Sequence, residues 1–453
     1  MGVVIIATRA PGGSDPPRLS RVSEQSAAEP TAPSGNESGG TISKGRASGI
    51  VLASIAAAVS TFAITIVAAR TLDPVGNAEF LVFWSVTFAV IGLITGMQNE
   101  ATRAVSVSRQ AGAAATQGAR ILQGGLVIGF VVAVLVVVSA IWWGGRLVPT
   151  TSPLIVLVIA VSAISYAAHT NIAGALAGLK IWGPFAGMLG GEAIFRLVLV
   201  LVAGLALGGL WPLEIAVVIP FALWLVFLAA SPGVRQAAAA RADVGLAQLL
   251  RNNAMALVTS ASAAALLTGF PALLRLTSPD APAPLLAGTI LAISLTRSPI
   301  MIPLQAFQGV AVSAFTEARG NRLKALAKPL ALLGAIGLVG AILAALLGPW
   351  LLALIWGPAY QITWWTFGGL MLAAVAIAWL TLTGTATIAL SAHRAYAGGW
   401  ALAAVVSLGL LFLPLSVEVR SIVALIVGPT LGVITHLIAI AAIDRRLLTQ
   451  PTP

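Results

Sequence analysis

One charged residue interrupts the apolar run from Leu285 to Phe315, and it is Arg297. A guanidinium in the middle of a membrane-length span costs between about +2.5 and more than about +10 kcal/mol, so it normally faces water or a partner. Pro299 and Pro303 follow closely. Each removes a backbone donor, and together they predict a kinked helix. Irregular backbone at membrane depth belongs where it packs in protein or lines a cavity. Helical spacing puts Arg297, Met301, Gln305 and Gln308 on one stripe. This stripe reads as the wall of a transport pathway with a cation near its middle. A second charged pair, Glu192 and Arg196, lies four residues apart in another apolar run, acid first, the favourable order on a helix. It reads either as a self-neutralised lock or as a gate or binding pair facing the cavity, and Glu192 is the embedded acid best suited to carry a proton or cation. Gln98, Asn99, Glu100 and Arg103 close an earlier run as a solvated helix end, where Arg103 could also meet an anionic head group. Ser162, Ser165, Tyr166, His169 and Asn171 form a polar stripe of the kind that holds membrane helices together. Gly125 and Gly129, and Gly187, Gly190 and Gly191, read as close-packing surfaces.

The elements that must position these residues are membrane-spanning helices. The chain has 453 residues, of which 58% are hydrophobic and 9% charged. That composition gives an all-α polytopic membrane protein. Continuous apolar runs exclude a β-barrel, which needs alternation. With no cysteine there is no disulfide and no thiolate metal site. Three histidines without ligand spacing leave no metal expected. No phosphate-loop pattern occurs, and no cofactor is expected. The net charge of +11 sets topology and is not a nucleic-acid signature.

Twelve spans are predicted, at 47–69, 79–98, 121–143, 153–174, 184–208, 212–231, 251–274, 285–308, 329–347, 362–385, 396–415 and 420–442. Residues 1–42, rich in Ser, Pro and Gly, read as a disordered cytoplasmic tail. Residues 43–231 form a first six-helix lobe, 232–250 a cytoplasmic linker, 251–443 a second lobe, and 444–453 a short tail. Apart from Arg196 and Arg297 inside spans, every Arg and Lys falls on the tail side except Arg70, Arg146, Arg275 and Arg420, which predicts both termini in the cytoplasm. Trp142, Trp143, Trp211, Trp350, Trp356, Trp364 and Trp365 fall at the opposite ends, as an aromatic belt would. Arg70 precedes Pro74 by four after the first span of one half, and Arg275 precedes Pro279 by four in the other. Arg70, Asp73 and Glu79 read as a structural turn at the outer surface.

Three segments carry a family resemblance: residues 66–86 (IVAARTLDPVGNAEFLVFWSV), 173–202 (AGALAGLKIWGPFAGMLGGEAIFRLVLVLV) and 351–373 (LLALIWGPAYQITWWTFGGLMLA). Their order and spacing resemble the polysaccharide and lipid-linked oligosaccharide flippases of the multidrug/oligosaccharidyl-lipid/polysaccharide (MOP) superfamily. Residues 295–318 resemble span 8 of the lipid II flippase branch, which has an arginine in the same place. On that likeness Arg297 would engage a lipid diphosphate. That branch also has arginines in span 1, whereas Ala47 to Ala69 has none. The resemblance implies a two-lobed, V-shaped transporter of the plasma (inner) membrane that turns a polyprenyl-diphosphate sugar across it by alternating access. No covalent chemistry is needed, so no catalytic residue and no enzyme activity are expected. The substrate-binding set is then Arg297, Gln305, Gln308, Glu192, Arg196 and Arg103. Partners would be the polyprenyl-linked sugar, membrane lipids, and glycosyltransferases or a polymerase of the same pathway, with no nucleic acid. Other readings are a multidrug or metabolite exporter of the same superfamily, a polytopic glycosyltransferase using a lipid-phosphate sugar, and a scaffold recruiting cell-wall enzymes.

Overall fold

The computed structural model describes residues 44–111, 118–151, 153–317, 322–390 and 392–448, without the side chains of 44–56, 58, 302–303, 305–317 and 446–448. The helices of the first half are α1 (Lys44–Thr71), α2 (Pro74–Ala111), α3 (Ile121–Leu147), α4 (Leu154–Gly178) and α5 (Trp182–Val202), which runs on as a wider turn over Ala203–Leu207. α6 (Leu210–Val218) and α7 (Leu223–Ala230) are joined by a tight turn over Ile219–Ala222. A short α8 (Pro232–Ala238) leads to the second half: α9 (Leu246–Leu267), α10 (Phe270–Leu276), α11 (Ala283–Glu317), α12 (Arg322–Trp356), α13 (Trp364–Ala389), α14 (His393–Leu410) and α15 (Val417–Leu448). A helix covers each of the twelve predicted positions. Among the described residues, nine helical segments are long and apolar enough to cross a membrane, ten if the bent pair α9–α10 counts as one. "Outer" below means the end away from the predicted cytoplasmic termini.

Local chemistry sets the boundaries. Between α1 and α2 the chain reads Asp73-Pro74. The Asp73 carboxylate accepts the Gly76 N–H at 3.1 Å as an N-cap, and Pro74 fills the first helical position, where its missing donor costs nothing. Small residues let the helices of the first half approach closely. A Cβ on Gly125 would come within 2.6 Å of Asn171, and one on Gly129 within 2.7 Å of Ala167, so α3 seats directly on α4. α1–α5 pack mainly among themselves, as do α11–α15. α9, first in the second half, lies along α2 of the first.

A helical break occurs where the sequence does not predict one. α11 stays helical through Pro299 and Pro303. The sharp bend, 68°, is in the seventh span, between α9 and α10 at Thr268-Gly269, with Pro271 in the first turn of the new helix. The backbone groups freed there are satisfied by Ser85 of α2, whose hydroxyl donates to Thr268 O at 2.6 Å and accepts from Ala272 N at 3.1 Å. This is a membrane break sealed by a neighbouring helix.

Residues 232–250, expected to be a linker, are fastened to the first half over much of their length. Ser231 caps α8, which packs on α4. Residues 240–244 pair with 119–121 through three backbone hydrogen bonds of 2.8–3.0 Å. Arg241 Nη1 donates to Gly118 O at 2.8 Å.

Candidate functional site

A cavity of about 360 Å³ lies between the halves, walled by α1 and α2 on one side and by the α9–α10 bend and α11 on the other. Arg297 and Met301 of α11 line it, as the stripe predicts. Among the described residues the Arg297 guanidinium has no ion-pair or hydrogen-bond partner. Of the other wall residues none carries a charge. Its hydroxyls are arranged in one sense: Thr61, Thr65, Ser294 and Ser298 each donate to a carbonyl of their own helix at 2.8–3.1 Å. A hydroxyl that has given its proton away keeps lone pairs and offers the cavity an acceptor. The chamber therefore presents one strong donor group and a rim of acceptors.

Trp84 and Phe88 of α2 complete the wall, stacked with ring centres 4.3 Å apart. Behind Phe88 lies the second predicted pair. Glu192 and Arg196 are buried, 7% and 6% exposed, and joined in an ion pair. Arg196 also donates to Val217 O at 3.1 Å and sits over the rings of Phe221 and Phe88, 4.8 and 5.2 Å from their centres. His169 Nε2 lies 3.5 Å from the other Glu192 oxygen, and Tyr166 stacks on His169. This pair sits in the wall of the first half and reaches the cavity wall through Phe88.

Arg103 lies elsewhere, at the end opposite the outer side, where it bonds Glu100 and, at 2.9 Å, Asp243. Glu100 in turn accepts from Asn252 of α9 at 2.8 Å. Arg103 thus fastens α2 to the linker segment. The side chains of Gln305 and Gln308 lie outside the described residues.

The outer side of the cavity is closed by contacts between the halves. Arg70, at the end of α1, donates to the carbonyls of Leu354 and Ile355 in the last turn of α12. Those carbonyls lack intrahelical partners and form the negative end of the helix dipole, so a cation suits them. Trp356 is a correction to the aromatic belt: it turns inward, 1% exposed, because its N–H finds Thr65 Oγ1 at 3.2 Å. Gly357, at φ +120, turns the chain so that Tyr360 accepts from Asn77 at 2.9 Å. Sequence reasoning missed Trp84, Phe88 and the Thr268 bend. Gly269-Phe270-Pro271 carried the signal for the bend, since a glycine just before a proline-led turn ends one helix and starts another.

No family model matches the chain. It is 36% identical over 423 residues to the uncharacterized protein Rv3630 of Mycobacterium tuberculosis, covering 92% of this chain and 96% of that one. With the uncharacterized protein Rv1510 of the same organism it shares 36% identity over 407 residues, 89% and 93% of the two chains. Among solved structures, it is similar to the inward-facing form of a multidrug resistance MATE family transporter of the MOP superfamily, with TM-score 0.62 and 15% identity over 89% of this chain and 100% of that one. It is also similar to a MOP superfamily transporter from Pyrococcus furiosus described as having a binding pocket of reverse polarity, with TM-score 0.61 and 12% identity over 89% and 97%. At such identities these likenesses show the fold: a multi-pass membrane protein with the MOP transporter architecture.

Proposed function

We propose a function for a chain that belongs to the family of these two mycobacterial proteins and has the MOP transporter fold: it moves an anionic, lipid-linked sugar across the plasma membrane by alternating access. The observation that carries this reading is Arg297, a guanidinium without a partner on the wall of a chamber between the halves. A diphosphate head group cannot cross hydrocarbon bare. A fork of charged donors in a low-dielectric chamber offsets part of its desolvation. The acceptor hydroxyls of Thr61, Thr65, Ser294 and Ser298 suit a cargo rich in O–H donors, which a sugar is. The chamber falls within the range of about 300–1,000 Å³ typical of small-molecule sites, enough for a head group and a short glycan with the lipid tail outside.

The outer seal made by Arg70, Trp356 and Tyr360 supports loading from the cytoplasmic side. As the sequence suggests, the chain divides into two lobes at the linker, and Gln305 and Gln308 belong with Arg297 to the substrate-binding set. Arg196 and Glu192 brace the wall, and Arg103 guards the mouth. A second reading, multidrug export, is supported by the likeness to the MATE transporter. It accounts less well for the chamber, whose described lining holds an arginine and no carboxylate with which to meet an organic cation.

The test is transport in proteoliposomes. A fluorescent polyprenyl-diphosphate sugar should change leaflet with the wild type and stall with Arg297→Ala. Equal rates for the two proteins, or export of organic cations with no movement of the diphosphate lipid, would overturn the reading.

A further inference from the structure

Glu214, in the first turns of α6, is the most deeply buried carboxylate among the described residues, 0% exposed. Its Oε1 accepts the Thr151 hydroxyl at 3.3 Å, and its Oε2 has no partner. Glu79 of α2, 7% exposed, accepts the Thr150 N–H at 2.8 Å. The two carboxylates thus hold successive residues of the outer connection between α3 and α4. Neither forms an ion pair among the described residues. A charged, half-satisfied carboxylate in an apolar interior is costly, and a second one nearby raises that cost.

Either a proton or a metal cation would relieve it. No group of three or more His, Cys, Asp or Glu side chains able to hold a metal occurs among the described residues. Glu79 also shares with Arg275 of α10 a small crevice of about 50 Å³ at the outer seam between the halves, which disfavours a second cation there. We infer that Glu214 holds one proton beside the Glu79 carboxylate, taken up from the outer side through this crevice.

The other charged groups nearby are already engaged or directed elsewhere. Arg196 of α5 reaches Val217 O, one turn along α6, but is neutralised by Glu192. His169 of α4 faces Glu192. Arg146 of α3 is exposed. Arg70 of α1 is held on α12. Arg275 donates to Pro279 O at 3.2 Å, leaving the rest of its guanidinium for the crevice.

The crevice is lined by Val75, Ala78 and Val82 of the first half and by Arg275, Ala283 and Leu286 of the second. The charge on the carboxylate pair therefore acts across the seam. Adding the proton weakens the attraction to Arg275 and lets the outer ends part. The coupling to movement rests on the transporter reading, whereas the proton on Glu214 does not.

Infrared difference spectroscopy of the full chain in lipid reads the proton directly. A protonated-carboxyl band at neutral pH should disappear in Glu214→Gln and be lost or shifted in Glu79→Gln. The amide keeps the side-chain shape and an acceptor for Thr151, and circular dichroism checks the fold. Absence of the band at neutral pH, or its survival in Glu214→Gln, would overturn the proton site. The chain has no cysteine, so Ser294→Cys gives a single cavity label for a membrane-impermeant thiol reagent added outside. Labelling should rise as the outer pH falls from alkaline to neutral, where the proton is taken up, and Glu214→Gln should hold it at the neutral-pH rate. Labelling indifferent to pH beside an intact infrared band would overturn the coupling alone.

Discussion

Two arginines lie within the apolar spans, and they are provided for in opposite ways. Arg196 is enclosed: a carboxylate, a backbone carbonyl and two aromatic rings surround it. Arg297 has none of these and faces open volume. A buried charge is tolerated when its neighbours replace the water it lost. Arg196 has its replacements within the first half, so its contribution is to architecture. Arg297 lacks them and faces the chamber, which on the proposed function is where the anion of the cargo binds. Phe88 separates the two, with the Arg196 cation over its ring and the chamber beside it.

Breaking the enclosed arginine should have the largest effect. Arg196→Ala leaves Glu192 buried and uncompensated, and is expected to cost about 3–5 kcal/mol of stability. The melting temperature in detergent should fall sharply, and the double variant Glu192→Gln, Arg196→Met should recover much of the loss. Arg297→Ala should reverse the pattern. Binding of a diphosphate lipid should weaken about tenfold to a hundredfold, the loss of a charge-assisted contact of about 1.5–3 kcal/mol, while the melting temperature stays level or rises. A drop in stability as large as that of Arg196→Ala would abolish the distinction. Phe88→Leu tests the partition itself. It removes a cation–π contact of about 0.5–2 kcal/mol, measurable by thermal unfolding, and should make cargo binding sensitive to changes at Arg196. The smallest effect belongs to Arg297→Lys. It keeps the charge without the two-pronged geometry and should bind within about fivefold of the wild type, a difference under about 1 kcal/mol.

The spans were legible because apolar length is a local property of sequence, and Arg297 was legible because a lone charge in such a run stands out. What escaped depended on contacts made across the chain. The run from Arg251 to Leu274 reads as one span by hydropathy. Its bend at Thr268 persists because Ser85, far away in sequence, satisfies the broken backbone. Trp356 has the sequence position of a belt residue, and only Thr65 of α1 turns it inward. The spacing of Glu192 and Arg196 announced a pair, but not which side of the wall it occupies. Arg103 looked like a free helix end because Asp243 is remote in the chain.

If the halves move as the proposed function requires, the fastened segment after α8 restricts how one can swing against the other. Because residues 240–244 are stitched to 119–121, and Asp243 to Arg103, the strap should travel with the first half. The pivot is left to the short step into α9 at Gly245, where an added Cβ would meet nothing within 4 Å. A stiff residue such as proline at that point should slow the rocking while leaving both halves and the chamber intact.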